Sequence, residues 1–336
     1  MKKVHNTNYA TLINSIGSLL EQGRRQAYQA INQILVNTYW EIGRQIVEYE
    51  QKGKEKAEYG SALLDNLSKD LKLKFGKGFS RRNILDMRRF FVAYPKWQTV
   101  SAELSWSHFV ELLAIDNVSE KLFYEKQCID EKWSVRELSR QMNSALFHRL
   151  ALNKNKKELA TLSKKGQLIK THKDIIKDPY VLEFLNISQS YKYSEKELEQ
   201  KIIDNLQMFL LELGKGFTFV KRQFRITLDN NHYYVDLVFY HRILKCFVLI
   251  DLKIGKVSHN DIGQMNMYLN YFREEENSKE DNEPIGIVLV AQKNHPLVRY
   301  ALGNLSNKLF VSKYQLYLPD KKELEKQLKK AIENEI

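Results

Sequence analysis

Three side chains in one apolar stretch, Asp236, Asp251 and Lys253, have the types and spacing that point most directly to chemistry. Residues 233–240 and 246–253 are rich in Val, Ile, Tyr and Phe and flank a short polar turn at 241–245, the pattern of a β-hairpin. Asp236 interrupts Val, Leu and Phe, and Asp251 follows Phe-Val-Leu-Ile. Burying a carboxylate there is costly unless a counter-charge or a cation compensates. Asp251 and Lys253 are two positions apart and leave the same face of a strand. If Asp236 reaches that face from the neighbouring strand, two carboxylates and an ammonium converge. A hard divalent cation, Mg2+ or Mn2+, is what such an oxygen-rich cluster would hold. The plain alternative is a surface hairpin carrying an Asp251–Lys253 ion pair, which leaves Asp236 unexplained.

The elements around the hairpin follow from periodicity. Ser194 and Glu197 form a capping box that opens a helix with Leu198, Ile202, Leu206, Phe209 and Leu213 on its core side. Gly214 closes it, leaving Glu212 in the last turn, where the helix dipole mildly disfavours an anion. A residue set against its local preference is a candidate functional group, although an exposed glutamate explains the position as well. Residues 217–228 alternate as a strand. After Lys253 a helix from about Ser258 places Gln264 and Tyr268 four apart on one face, within reach of substrate. Residues 285–291 are continuously apolar, as in a buried central strand, 308–318 suggest one more strand, and 323–336 an amphipathic terminal helix. This layout resembles the PD-(D/E)XK nuclease superfamily, which has an Asp on one strand and Asp or Glu, any residue and Lys on the next. Glu212, Gln264 and Tyr268 fall where that superfamily uses accessory residues.

The first 152 residues read as an all-α domain of several packed helices, with apolar residues three and four apart. The helix after Ser80 has two unlike faces. Ile84, Met87, Phe90, Phe91 and Tyr94 lie on one, and Arg81, Arg82, Arg88 and Arg89 on the other, with Lys77 just before them. Arginine forks suit phosphate, so this stripe could seat a nucleic-acid backbone; a solvated, ion-paired face is the equal alternative. Trp40, Trp106 and Trp133 read as packing aromatics. Residues 153–177 carry eight lysines against Glu158 and Asp174, a net +6, and read as a basic linker before a second domain at 178–336. The formal charge of +12 favours a polyanionic partner. No apolar run approaches the roughly 18 residues that span a bilayer, so a cytoplasmic protein without a membrane segment is expected. Cys128 and Cys246 lack a CxxC partner, which argues against a disulfide framework or a zinc site.

Read as phrases, YWEIGRQIVE, GFSRRNILDMRRFF, LSWSHFVELL, WSVRELSRQM, YYVDLVFYHRILKCFVLIDLKIG and DIGQMNMYLNYF are similar to the YhcG family over nearly the whole chain. That resemblance implies an α+β protein: a helical N-terminal domain followed by a restriction-endonuclease-like αβββαβ domain. It implies Mg2+-dependent endonuclease chemistry on nucleic acid, most simply DNA. Asp236 and Asp251 would be the metal ligands, Lys253 the catalytic lysine, and Glu212 and Gln264 their supports. The family more often has Glu where this chain has Asp251, and Val235 replaces the proline of the nominal motif. Two other readings remain: a non-cutting nucleic-acid-binding subunit of a defence or restriction assembly, and a helical adaptor acting through the N-terminal half. A homodimer is left open, because many nucleases pair to cut both strands.

Overall fold

The computed structural model describes residues 4–52, 59–96, 103–152, 156–188, 192–292 and 308–333. These divide into two compact units, Met1–Ser139 and Arg140–Ile336.

The first unit is helical: α1 (Val4–Lys52), α2 (Tyr59–Phe75), α3 (Arg81–Ala93), α4 (Trp106–Leu112), α5 (Val118–Glu131) and the start of α6 (Val135–Asn143). Ser80 caps α3 by accepting the amide of Asn83, so the helix starts where its orphan donors find a partner. The α3 residues Ile84, Met87 and Phe90 are fully buried. Trp40 donates its indole N–H to the Tyr94 carbonyl at 2.7 Å, and Trp106 packs edge-on against Tyr39 and Phe90. Trp40 is therefore a core residue and half-buried Trp106 a packing one, as expected.

The close approach of α1 to α3 depends on Gly43. A Cβ at that position would lie 2.1 Å from the Met87 carbonyl oxygen and 3.1 Å from the Phe91 Cβ. Gly43→Ala should gain up to ~1 kcal/mol in helix propensity. It must also push two backbones apart, at about 1–3 kcal/mol. The expected result is a lower urea midpoint; an unchanged or raised one would show that the helices do not meet at this residue.

The second unit continues through α7 (Leu146–Ala151) and α8 (Lys156–Lys165) to β1 (Tyr180–Val181), α9 (Glu195–Asp204), α10 (Leu206–Leu213), β2 (Phe217–Leu228), β3 (Asn231–His241), β4 (Cys246–Lys256), α11 (His259–Tyr271), β5 (Ile285–Gln292), β6 (Leu309–Gln315) and α12 (Lys321–Glu333). The expected order of helix, three strands, helix and strand is present as α10, β2, β3, β4, α11 and β5. The six strands form one mixed sheet in the order β1-β6-β5-β4-β3-β2. β2, β3 and β4 are antiparallel; β4, β5, β6 and β1 run parallel. Asp229 and Asn230 adopt positive φ in the two-residue β2–β3 turn, the backbone that matches strand twist. One sheet face packs on α9 and α10 through Leu198, Ile202, Phe209 and Leu213. The other packs on α11 through Ile262, Met265 and Leu269. β5 is buried along almost its whole length, because both of its faces are covered.

Two expectations change in detail. The helix read from 194 to 213 is broken at Asn205, whose side chain caps the Lys201 carbonyl at 2.9 Å. Of the stretch read as a basic linker, residues 153–155 lie outside the described residues, 156–165 form α8, and Lys177 is 2% exposed. The segment after Pro179 supplies the edge strand β1. The end of the terminal helix, 334–336, also lies outside the described residues.

Candidate active site

The β3–β4 ladder stops at the pair Leu237 and Ile250. Past it the Asp236 carboxylate replaces the next strand bond and accepts the Leu252 amide at 2.8 Å. Substituting a side chain for a backbone partner fixes Asp236 beside the second half of β4. Asp251 is 4% exposed, and its Oδ2 lies 2.8 Å from the Lys253 Nζ. Burial pushes the Asp236 carboxyl up, and the Asp251 charge pushes it further. Burial raises Asp251 as well, against the pull of Lys253. Burial alone would lower the Lys253 ammonium; Asp251, Glu195 and Asp236 outweigh it, so the lysine is held protonated. Two buried carboxyl groups, both raised by burial and one further by the other's charge, are more acid than one lysine balances. Their oxygens suit a hard divalent cation.

α9 supplies the next layer, which sequence reasoning missed. Glu195, in the first turn, accepts the Ile254 amide at 3.3 Å and lies 3.7 Å from Lys253. One turn later Glu199, 4% exposed, pairs with Arg222 and accepts the Gln223 amide at 2.7 Å. The same Gln223 nitrogen lies 3.1 Å from Asp236 Oδ1, so one side chain bridges Glu199 and Asp236. Gln223 does this from a left-handed backbone, φ +47°, inside a strand, a conformation that costs a non-glycine residue of order 1 kcal/mol or more. Glu195 and Glu199 are four apart and flank the buried Leu198–Ile202 stripe, a spacing that could have marked them. Nothing local in the sequence marks Gln223.

The other expected accessory residues part ways. Gln264 donates to the Tyr268 hydroxyl, and that hydroxyl donates to the Tyr234 carbonyl at 2.9 Å. The pair thus braces β3 two residues before Asp236. Tyr268 is fully buried, which corrects the expectation that it touches nucleic acid: from α11 the ring packs into the core against the sheet. Glu212 is also fully buried, but its contacts lie elsewhere. Its Oε1 accepts from Arg149 at 2.6 Å and from the Val181 amide at 3.0 Å, and Arg140 lies 3.5 Å from its Oε2. The break at Asn205 separates the turn that carries Glu212 from the α9 turns that face Asp236. Glu212 is therefore placed in a structural ion cluster, not beside Asp236 and Asp251.

In the first unit, Lys77, Arg81, Arg82 and Arg89 are exposed and Arg88 is half-buried. Arg81 pairs with Asp65 at 2.9 Å, Arg88 with Glu50 at 2.8 Å, and Arg82 lies 4.0 Å from Asp86. The stripe is partly neutralised, as an ion-paired helix face would be. Surface pairs of this kind are worth ~0–1 kcal/mol, so a phosphate could displace them.

Residues 173–329 match the YhcG PDDEXK nuclease domain, and residues 15–149 match the DUF1016 N-terminal domain. The protein described as "Putative nuclease YhcG" from Escherichia coli (strain K12) is 38% identical over 352 residues, covering 95% of this chain and 93% of that one. The chain belongs to the YhcG family. Its second unit is a PDDEXK nuclease domain with the restriction-endonuclease-like sheet, and Asp236, Asp251 and Lys253 lie inside the matched segment. Among solved structures, a repair endonuclease from Pyrococcus abyssi matches at 20% identity and TM-score 0.27, over 39% of this chain and 50% of that one. EndoMS in apo form matches at 18% identity and TM-score 0.26, over 39% and 49%. No described helix of this YhcG-family chain is long and apolar enough to cross a membrane.

Proposed function

We propose that this protein is a metal-dependent endonuclease that hydrolyses phosphodiester bonds in cytoplasmic DNA. The observation that carries the reading is the meeting of Asp236 and Asp251, each raised by burial, with a protonated Lys253 at 2.8 Å from Asp251. The two carboxylates would hold Mg2+ or Mn2+. Such a cation, when bound, polarises the scissile phosphate and acidifies the attacking water. Lys253 keeps its proton and presents positive charge where negative charge accumulates on the phosphate oxygens in the transition state. Gln223 and the Leu252 amide fix the two Asp236 oxygens, and Glu195 limits the swing of Lys253. The Gln264–Tyr268 pair holds the strand that carries Asp236.

The test is incubation of duplex, single-stranded and branched DNA and RNA with the protein and Mg2+ or Mn2+, with a chelator control. Chelator-sensitive internal cleavage of DNA is expected. Binding without cutting across the whole panel would replace this reading with that of a non-cutting nucleic-acid-binding subunit.

Gln223 gives a second check. Gln223→Gly keeps the left-handed backbone at no steric cost but removes the bridge between Glu199 and Asp236. Loss of an outer hydrogen bond of this type weakens metal affinity about 10–100-fold. A Mn2+ titration by calorimetry should show that drop with the unfolding midpoint maintained or raised. Unchanged affinity would remove Gln223 from the site.

A further inference from the structure

The N-terminal half of α1 carries an apolar face with no cover among the described residues. Ile13 is 50% exposed, Ile16 44%, Leu20 58%, Tyr28 66%, Ile31 65% and Ile34 67%. A helix segment of this length without tertiary packing is marginal in water, because most helical stability in proteins comes from burying such a face. The spacing of Ile13, Ile16, Leu20, Ala27, Ile31 and Ile34 averages close to 3.6, so these residues form one stripe along the helix. The stripe does not run out at Ile34. Thr38, Ile42, Gln45 and Tyr49 continue it, and these residues line one wall of a groove of about 870 Å³ whose other wall is Leu63, Leu67, Leu71 and Phe75 of α2. α3 packs against both α1 and α2, which leaves this groove between them open.

We propose that the occupant of both stripe and groove is a second copy of this chain, with the two α1 helices antiparallel about a two-fold axis at Ile31. A two-fold at residue 31 pairs positions whose numbers sum to 62. That register sets Ile13 against Tyr49, Ile16 against the groove floor at Ile46, Leu20 against Ile42, Ala27 against Leu35, and Ile31 against its own copy. The stripe residues Ile13, Ile16, Leu20 and Ala27 each meet an apolar residue of the other half, which is the self-complementarity a two-fold interface requires. In that register Glu21 falls against Glu41, whose charge Arg44 already balances within the chain at 2.7 Å. Gly23, with open space around it in a single chain, falls against Tyr39 and gives that ring room. The six bare side chains expose on the order of 600 Å² per copy, and with the groove added this reaches the ~800 Å² per partner of a stable pair. The pairing does not depend on the nuclease reading, and its test is read as mass rather than cleavage.

Light scattering after size exclusion, on the full chain at micromolar concentration, should give twice the 39.7 kDa chain mass and keep it in 1 M NaCl. Ile31→Arg places two like charges on the axis and should halve that mass with helical circular dichroism retained. A cysteine experiment covers the case in which that variant does not fold. Ile31→Cys alone should form a disulfide-linked dimer on oxidation. Ile13→Cys should link only when mixed with Tyr49→Cys, and the native Cys128 and Cys246 are buried and stay silent. A monomeric mass for the wild type overturns the proposal and leaves the stripe to another partner. A dimer with no Ile31→Cys link, or with Ile13→Cys linking to itself, also overturns it.

Discussion

Asp251→Asn is expected to remove metal binding and cleavage together, whereas Lys253→Ala should leave the metal bound and lower cleavage by about 10²–10³-fold, the usual cost of losing one transition-state charge. The two variants separate because the residues do different things. Asp251 is almost fully buried, and burial followed by its charge raises the Asp236 carboxyl. Neutralising it removes half of the oxygen ligands and relaxes the repulsion that makes the pair attract a cation. Lys253 supplies no oxygen. Its removal takes away the positive charge nearest Asp251 and leaves the carboxylates more strongly in need of a cation, so metal-induced stabilisation should grow while turnover falls. The measurement is paired: Mn2+ affinity by calorimetry and single-turnover cleavage of the best substrate found with the wild type. Wild-type cleavage by either variant would rule out this site. Loss of metal affinity in Lys253→Ala would mean that the lysine holds the fold of the site and is not an electrostatic catalyst.

The hairpin was legible because its chemistry is local: β-branched and aromatic runs, a polar turn, and a D-x-K pair whose shared face follows from strand geometry alone. Asp236 was legible only in part. Val235 and Val238 face the core under α11, while Leu237 and Phe239 face the core under α9 and α10, so the two-residue alternation breaks beside Asp236. Counting along the strand could not have decided its face. The left-handed Gln223 stands on β2 between the partners of Leu237 and Val235, where the break falls, and it has no signature in residue type. Glu212 was misplaced for a similar reason: one helix was read where Asn205 makes two, and the partners that fix Glu212 are far away in sequence. The arginine stripe follows from helical periodicity along α3. Its neutralising partners Asp65 and Glu50 sit on other helices, beyond any local pattern.

The Glu212 cluster supports a prediction that sets stability against catalysis. Arg149, fully buried, donates to Glu212 and to the Ser144 and Pro179 carbonyls, while the Lys177 ammonium bonds the Glu212 backbone oxygen. Burial alone would raise the Glu212 carboxyl, but Arg149, Lys177 and Arg140 outweigh it and hold it below the ordinary carboxylate range. Its contribution is therefore complete above the unfolded value, near pH ~4.3, and is lost as pH falls through the depressed folded value. Glu212→Gln strips the cluster of its central anion and strands buried cations, at about 3–5 kcal/mol. Its unfolding free energy from urea denaturation at pH 7 should drop by that amount, and its stability should fall less than the wild type's on acidification below pH ~4.3. Because the cluster is apart from Asp236 and Asp251, the folded fraction should bind Mn2+ as the wild type does. The opposite pattern, full stability with cleavage abolished, would return Glu212 to the catalytic role that its place in the sequence suggested. Arg149→Met with Glu212→Leu then separates charge from packing. Removing both charges and filling the space should recover part of the loss, since replacing a buried pair with apolar residues is often near neutral, while Arg140 and Lys177 keep their charge.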